Sequence, residues 1–167
     1  MPLTFRVTAK AKLVKGVAAL NAIYQRSDTA AQAVQTRAAA LKGLSQDDLS
    51  TDVTFARWFG DNPSDELFES AQSCRAWLHE TPIEAYQQAY EIFAHHDGSS
   101  LEHLAQLKIP ALFITGSDEP NSTPSMSRDM ATAAPRGRAE IIAGAAHMMP
   151  MTHAHQVANF LTHHFKG

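Results

Sequence analysis

Apolar residues along this chain recur in two rhythms, and the change from one to the other falls near residue 108. Before it the spacing is helical. Leu13, Val14, Val17, Leu20 and Tyr24 predict a first helix whose wet face takes the neighbouring basic residues. Ser27 or Asp28 can cap a second helix carrying Ala31, Val34, Ala38 and Leu41, with Gly43 as its stop. A short aromatic-rich segment holding Val53, Phe55, Ala56, Trp58 and Phe59 ends at Gly60 and the Asn62-Pro63 breaker. The next segment starts near Ser64 with Asp65 and Glu66 in its first turn, where the helix dipole favours acids. It repeats apolar residues at Leu67, Phe68, Ala71, Cys74 and Leu78. In "TPIEAYQQAYEIFAHHD", Thr81 reads as an N-cap, Pro82 as the first helical residue and Glu84 as the far side of a capping box, with Ile83, Tyr86, Tyr90 and Phe93 on one stripe.

From residue 108 the rhythm becomes strand, helix, strand, helix. "ALFIT" is a continuous apolar run, as expected of a strand buried on both faces of a parallel sheet. Thr123 before Pro124 announces a helix that Pro135 ends, and "RAEIIAG" reads as a second strand before Gly144. Val157, Phe160, Leu161 and Phe165 then mark a terminal helix. The expected class is α/β: a helical region over 1–100, then a right-handed βαβα unit with two parallel strands over 101–167.

Composition narrows the function. The 167 residues, 44% hydrophobic, have the length of one core-forming domain. A net charge of -3 with no block of either sign argues against nucleic acid as a partner. Cys74 is the only cysteine, which excludes an internal disulfide and suits a reducing, cytoplasmic compartment. It falls on a packed helical face with no adjacent activating group, so it reads as structural. The first 27 residues contain no acid, a bias shared with transit peptides, but an ordinary amphipathic helix explains it better. No apolar run reaches the roughly 18 residues needed to span a bilayer. Nine histidines include His95-His96, His153-x-His155 and His163-His164. Adjacent histidines on a helix point apart and share no face with a carboxylate at ligand spacing, so no metal is expected.

Both predicted strands end on titratable chemistry. The first releases Asp118 and Glu119, and the second runs through "AGAAH" to His147. Parallel neighbours in a βαβ unit finish on the same edge, where functional groups of open α/β sheets gather. A carboxylate brought to an imidazole there is the orienter-and-base half of a hydrolytic triad.

Here the sequence resembles the C-terminal part of the α/β-hydrolase family. Leu104 and Leu107 lead into "KIPALFITGSDEP", where that family typically reads proline, apolar strand, Gly-x-x-Asp-Pro. "IIAGAAHMMPMTHAHQVANFL" is similar to its Gly-small-Gly-His loop, proline and closing helix. The resemblance covers roughly residues 100 to 167, and the helices before it look like the family's variable cap. It implies His147 as general base, oriented by Glu119 or else by Asp118. Loop register between Gly116 and Pro120 puts the acid position at Glu119, although the residue type that the family prefers sits at Asp118. Ala146 replaces the glycine that commonly precedes the histidine. Implied substrates are small esters, lactones or related acyl compounds, with no cofactor. Trp58, Phe59 and Met148 are the candidate pocket residues, core packing being the alternative for the aromatics, as it is for Phe68 and Trp77.

One family element has no counterpart. The Gly-x-Ser-x-Gly nucleophile elbow matches nothing in these 167 residues: "GSS" at Gly98 and "GLS" at Gly43 lack the second glycine and do not follow a strand. The chain is therefore expected to be inactive alone. Two strands would leave a long edge unpaired, so a complementing chain or self-association along that edge is the expected partner. A non-catalytic binding domain on the same scaffold is the competing reading.

Overall fold

The computed structural model describes residues 14–46, 48, 51–59 and 67–166. The expectations placed on Leu13 and the basic residues before it, on Gly60 and Asn62-Pro63, and on the Ser64, Asp65 and Glu66 helix start lie outside the described residues. The chain forms two compact units: Arg26–Asp97, and Gly98–Gly167 joined by the described residues up to Gln25.

The Arg26–Asp97 unit is helical: α1 (Asp28–Leu41), α2 (Thr51–Phe59), α3 (Phe68–Glu80) and α4 (Ile83–His95). Ser27 is the cap of α1, its Oγ accepting from the Ala30 N–H at 3.3 Å. Val34 and Ala38 of α1 bury against Ala94, with Tyr90 and Phe93 packed alongside. The expected capping box at Thr81 does not form. The Thr81 hydroxyl instead donates back to the Trp77 carbonyl at 2.7 Å, closing α3, and Pro82 precedes α4 without a side-chain cap bond. Arg26 pins the two ends of the unit together. Its buried guanidinium donates to the carbonyls of Phe93 (2.5 Å) and His96 (2.6 Å), pairs with Asp97 at 2.7 Å and lies over the Phe93 ring. A guanidinium suits this position because its planar fork serves several acceptors at once.

The second unit holds the sheet. The expected first helix is corrected here: Val17–Leu20 is a strand, β1, and Asn21 after it has φ 48°, which no helix continues. β2 (Ala111–Gly116) and β3 (Gly137–Ile142) follow, with α5 (Leu101–Ala105) before β2 and α6 (Pro124–Ala133) between the two. α7 (Met149–Thr152) and α8 (Ala154–Phe165) close the chain. Among the described residues the sheet therefore has three parallel strands in the order β1-β2-β3, not two. Residues 17–20, expected within the helical region, belong with the sheet. β1 covers the flank of β2 that two strands alone would leave open, so the unpaired edge expected on β2 is not there. Val17 pairs with Ala111, Leu20 with Ile114, and Gly116 with Ile142.

β2 is buried along its whole length, and its period-two alternation divides its side chains between two cores. Ala111 and Phe113 pack with Tyr24, Leu104, Met130 and Ala134; Leu112 and Ile114 pack with Ile142, Ala145, Met149 and Val157. α6 starts as its sequence indicates, with the Thr123 hydroxyl accepting from the Met126 N–H ahead of Pro124.

Gly116 ends β2 in direct contact with the turn after β3, where a Cβ would overlap the Ala145 carbonyl. That close approach requires glycine. Gly116→Ala should lower stability by about 1–3 kcal/mol through overpacking, read in a denaturant melt. A melt unchanged from wild type would show that the two strand ends are not in contact.

Candidate active site

The chain leaves β2 and β3 side by side, and backbone bonds stitch the two exits together. The Ser117 N–H donates to the Ile142 carbonyl at 2.9 Å and the Asp118 N–H to the Ala145 carbonyl at 3.0 Å. Gly144, at φ 71°, turns the chain after β3 and donates its N–H to the Ser117 Oγ at 2.8 Å. The Ser117 hydroxyl in turn donates to Asp118 Oδ1 at 2.7 Å. Asp118 is exposed and engaged with its neighbour Ser117. Glu119, one residue on, turns inward.

Glu119 is only 3% exposed, and each carboxylate oxygen has its own partners. Oε2 lies 2.6 Å from His147 Nδ1; Oε1 accepts from the Asn121 N–H at 2.8 Å and the Ser122 N–H at 3.4 Å. Burial by itself pushes this carboxyl up, because a charge loses its water. The hydrogen bond from His147, the imidazole charge and the two backbone N–H groups together outweigh it, and the net direction is down. Ionised Glu119 can only accept, so in the neutral imidazole the ring proton sits on Nδ1. The His147 side chain is 41% exposed, and with Nδ1 engaged, Nε2 is the nitrogen left for an incoming proton donor. The arrangement can therefore take up a proton at Nε2 and stabilise the resulting imidazolium from the other side.

Met148 is half-buried at the start of α7, next to His147. Trp58 and Phe59 belong to the helical unit, where Trp58 is half-buried and Phe59 is buried with its ring 4.9 Å from that of Phe55. Phe68 and Trp77 of the same unit are exposed. Cys74 is buried and its thiol is raised by desolvation. Sequence reasoning missed Asn21, whose Nδ2 donates to the His147 carbonyl at 2.6 Å. Its signal, a polar residue directly after an apolar run, is too common to stand out. Among the described residues no group of three or more His, Cys, Asp or Glu side chains converges as a metal site requires. No helix among them is long and apolar enough to cross a membrane.

Three parallel strands under helices, with a buried carboxylate and an imidazole joined where the second and third strands end, define an α/β-hydrolase-type sheet edge. No family model matches the chain. It is 36% identical over 140 residues to the (E)-2-((N-methylformamido)methylene)succinate hydrolase of Acinetobacter baylyi, a match covering 84% of this chain and 51% of that protein. Its fold is similar to the enol-lactonase of Burkholderia xenovorans (TM-score 0.71, 20% identity, 95% of this chain and 59% of that one). It is also similar to a thermophilic esterase from Thermogutta terrifontis (TM-score 0.66, 19% identity, 89% and 54%). The chain has the α/β-hydrolase fold, of which it carries the C-terminal part. It spans about half the length of the curated relative it matches.

The lowered Glu119 carboxyl makes stability depend on pH with a definite sign. Its folded value lies below the ordinary 4.5, so its contribution is complete above pH 4.5 and is lost as pH falls through the folded value. Glu119→Gln should cost about 1–3 kcal/mol at pH 7, and its disadvantage should shrink below pH 4.5 in denaturant melts at stepped pH. A constant difference between the two proteins from pH 7 to pH 3 would contradict that ionisation.

Proposed function

We propose that this chain supplies the acid and the histidine of a Ser-His-Glu triad in an α/β-hydrolase acting on small esters, lactones or related acyl compounds. The observation that carries the reading is the 2.6 Å contact between Glu119 Oε2 and His147 Nδ1 at the carboxyl edge of the sheet. His147 Nε2 takes the proton of the nucleophile hydroxyl as its oxygen attacks the acyl carbon, then returns that proton to the leaving group. Glu119 holds the ring in the tautomer that leaves Nε2 basic and stabilises the imidazolium between the two transfers. Glu119, not Asp118, is the acid, because Asp118 is exposed and bonded to Ser117.

The nucleophile and the backbone donors for the oxyanion come from outside these 167 residues, whose sequence contains no Gly-x-Ser-x-Gly. A longer form of the protein or a complementing chain provides them, and β1 is the strand next to which such a sheet would continue. The curated relative supports an acyl substrate: its name describes a hydrolase of (E)-2-((N-methylformamido)methylene)succinate. Met148, the residue after His147, lines the substrate side of the imidazole. The protein works in the cytoplasm.

The test is labelling with a serine-directed fluorophosphonate, combined with hydrolysis of a small activated ester. A form carrying the nucleophile elbow should label and turn over, and His147→Ala should reduce its kcat by about a million-fold. The 167-residue chain should do neither. Labelling of that chain, or full activity in the His147→Ala protein, would overturn the reading; an elbow-bearing form that never labels would favour a non-catalytic binding domain.

A further inference from the structure

The Glu119–His147 contact is one side of a closed ring of hydrogen bonds that passes through all three strand ends. From His147 the ring runs through its carbonyl, which accepts from Asn21 Nδ2 at 2.6 Å. Asn21 Oδ1 lies 3.1 Å from the Thr115 hydroxyl, which lies 2.6 Å from the Ser122 carbonyl. The Ser122 N–H then returns to Glu119 Oε1 at 3.4 Å. Strand register brings the first two together: Leu20 pairs with Ile114, and the Asn21 N–H donates to the Ile114 carbonyl at 2.9 Å, which sets Asn21 beside Thr115.

The protons in this ring have fixed directions. A carbonyl can only accept, so the Asn21 amide must present its NH2 to His147 and its oxygen to Thr115. The single Thr115 proton is shared between the Ser122 carbonyl and Asn21 Oδ1, a three-centre arrangement with its shorter arm to Ser122. Thr115 and Ser122 are fully buried, so these groups have no ready exchange with water. Asn21 itself holds φ 48°, a left-handed conformation that asparagine tolerates better than most residues but still at a cost. Strain retained beside a candidate active site, together with a side chain committed to both neighbouring strand ends, points to a task for that residue.

We propose that Asn21 is a positioning residue for His147, tying the ends of β1 and β2 to the His147 backbone so that the imidazole stays in register with Glu119. Glu119 is anchored by N–H groups of its own loop, whereas the His147 backbone carbonyl is held by Asn21 from the end of β1. A ring fastened through its backbone on one side and through Nδ1 on the other loses the freedom to swing Nε2 out of line. The proposal rests on the reading of Glu119 and His147 as the acid and base of the site.

The test follows the His147 Nδ1 proton by proton and nitrogen-15 NMR in the 167-residue chain. Wild type should show a downfield, slowly exchanging Nδ1–H, and Glu119→Gln should abolish it. Asn21→Gly keeps the left-handed backbone and removes the amide; it should keep the fold while its Nδ1 proton exchanges with water about tenfold faster, the scale of one net hydrogen bond. Asn21→Asp is the second variant: it tolerates the same φ, still accepts from Thr115, and cannot donate to His147, so it should also exchange faster. Exchange unchanged in both Asn21 variants, with the proton lost in Glu119→Gln, would overturn the Asn21 proposal and leave the Glu119–His147 pair standing. A proton indifferent to Glu119→Gln would instead remove the reading beneath it. Unfolding of both Asn21 variants would also overturn the proposal, since it would make Asn21 a determinant of the fold and not of ring placement.

Discussion

Everything at the carboxyl edge of this sheet is arranged around one buried negative charge. An ionised carboxylate taken out of water is costly, and Glu119 at 3% exposure would take up a proton instead if nothing answered that charge. Three donors answer it: two backbone N–H groups supplied by the turn through Asn121 and Ser122, and the imidazole of His147. The turn is local and comes with the loop. The imidazole has to be delivered from another strand, so the pairing of β2 with β3 is what keeps the charge tolerable.

That dependence explains features that would otherwise look unrelated. Gly116 must be glycine because the exit of β2 lies against Ala145, two residues before the histidine. Asp118 and Ser117 hold the same exit to Gly144, so the second acid in the loop is engaged in fastening the two strand ends. The period-two division of β2 between two apolar cores fixes the strand from both faces, which gives its terminal loop a firm base. The helical unit has its own fastening in Arg26, whose fork binds both ends of that excursion together.

Much of the sheet unit was legible in the sequence because its signals are local. "ALFIT" could only be a buried strand or a short buried helix, and the Gly116 stop and the Thr123-Pro124 helix start settled which. Loop register with the flanking glycine and proline favoured Glu119 over Asp118, and Glu119 is the one of the two placed 2.6 Å from His147 Nδ1. β1 was not legible. Val14, Val17, Leu20 and Tyr24 recur at helical spacing, and "VAAL" has little strand propensity; its conformation is decided by pairing with β2, more than 90 residues away. The Asn21 bonds were hidden for the same reason, since they join residues separated by 94 and 126 positions. The Thr81 capping box was a local signal that lost, because the same hydroxyl was taken by the preceding helix.

The claim on which the account turns is that donors, not burial, decide the state of Glu119. Carbon-13 NMR of its side-chain carboxyl, followed through acid pH in this chain, measures that directly. The expected midpoint lies below the ordinary 4.5 and rises when His147 is replaced by alanine. A midpoint at or above 4.5 in the wild-type chain would mean that burial prevails, that Glu119 is not the charged partner of His147, and that this site is not built as an acid–base pair.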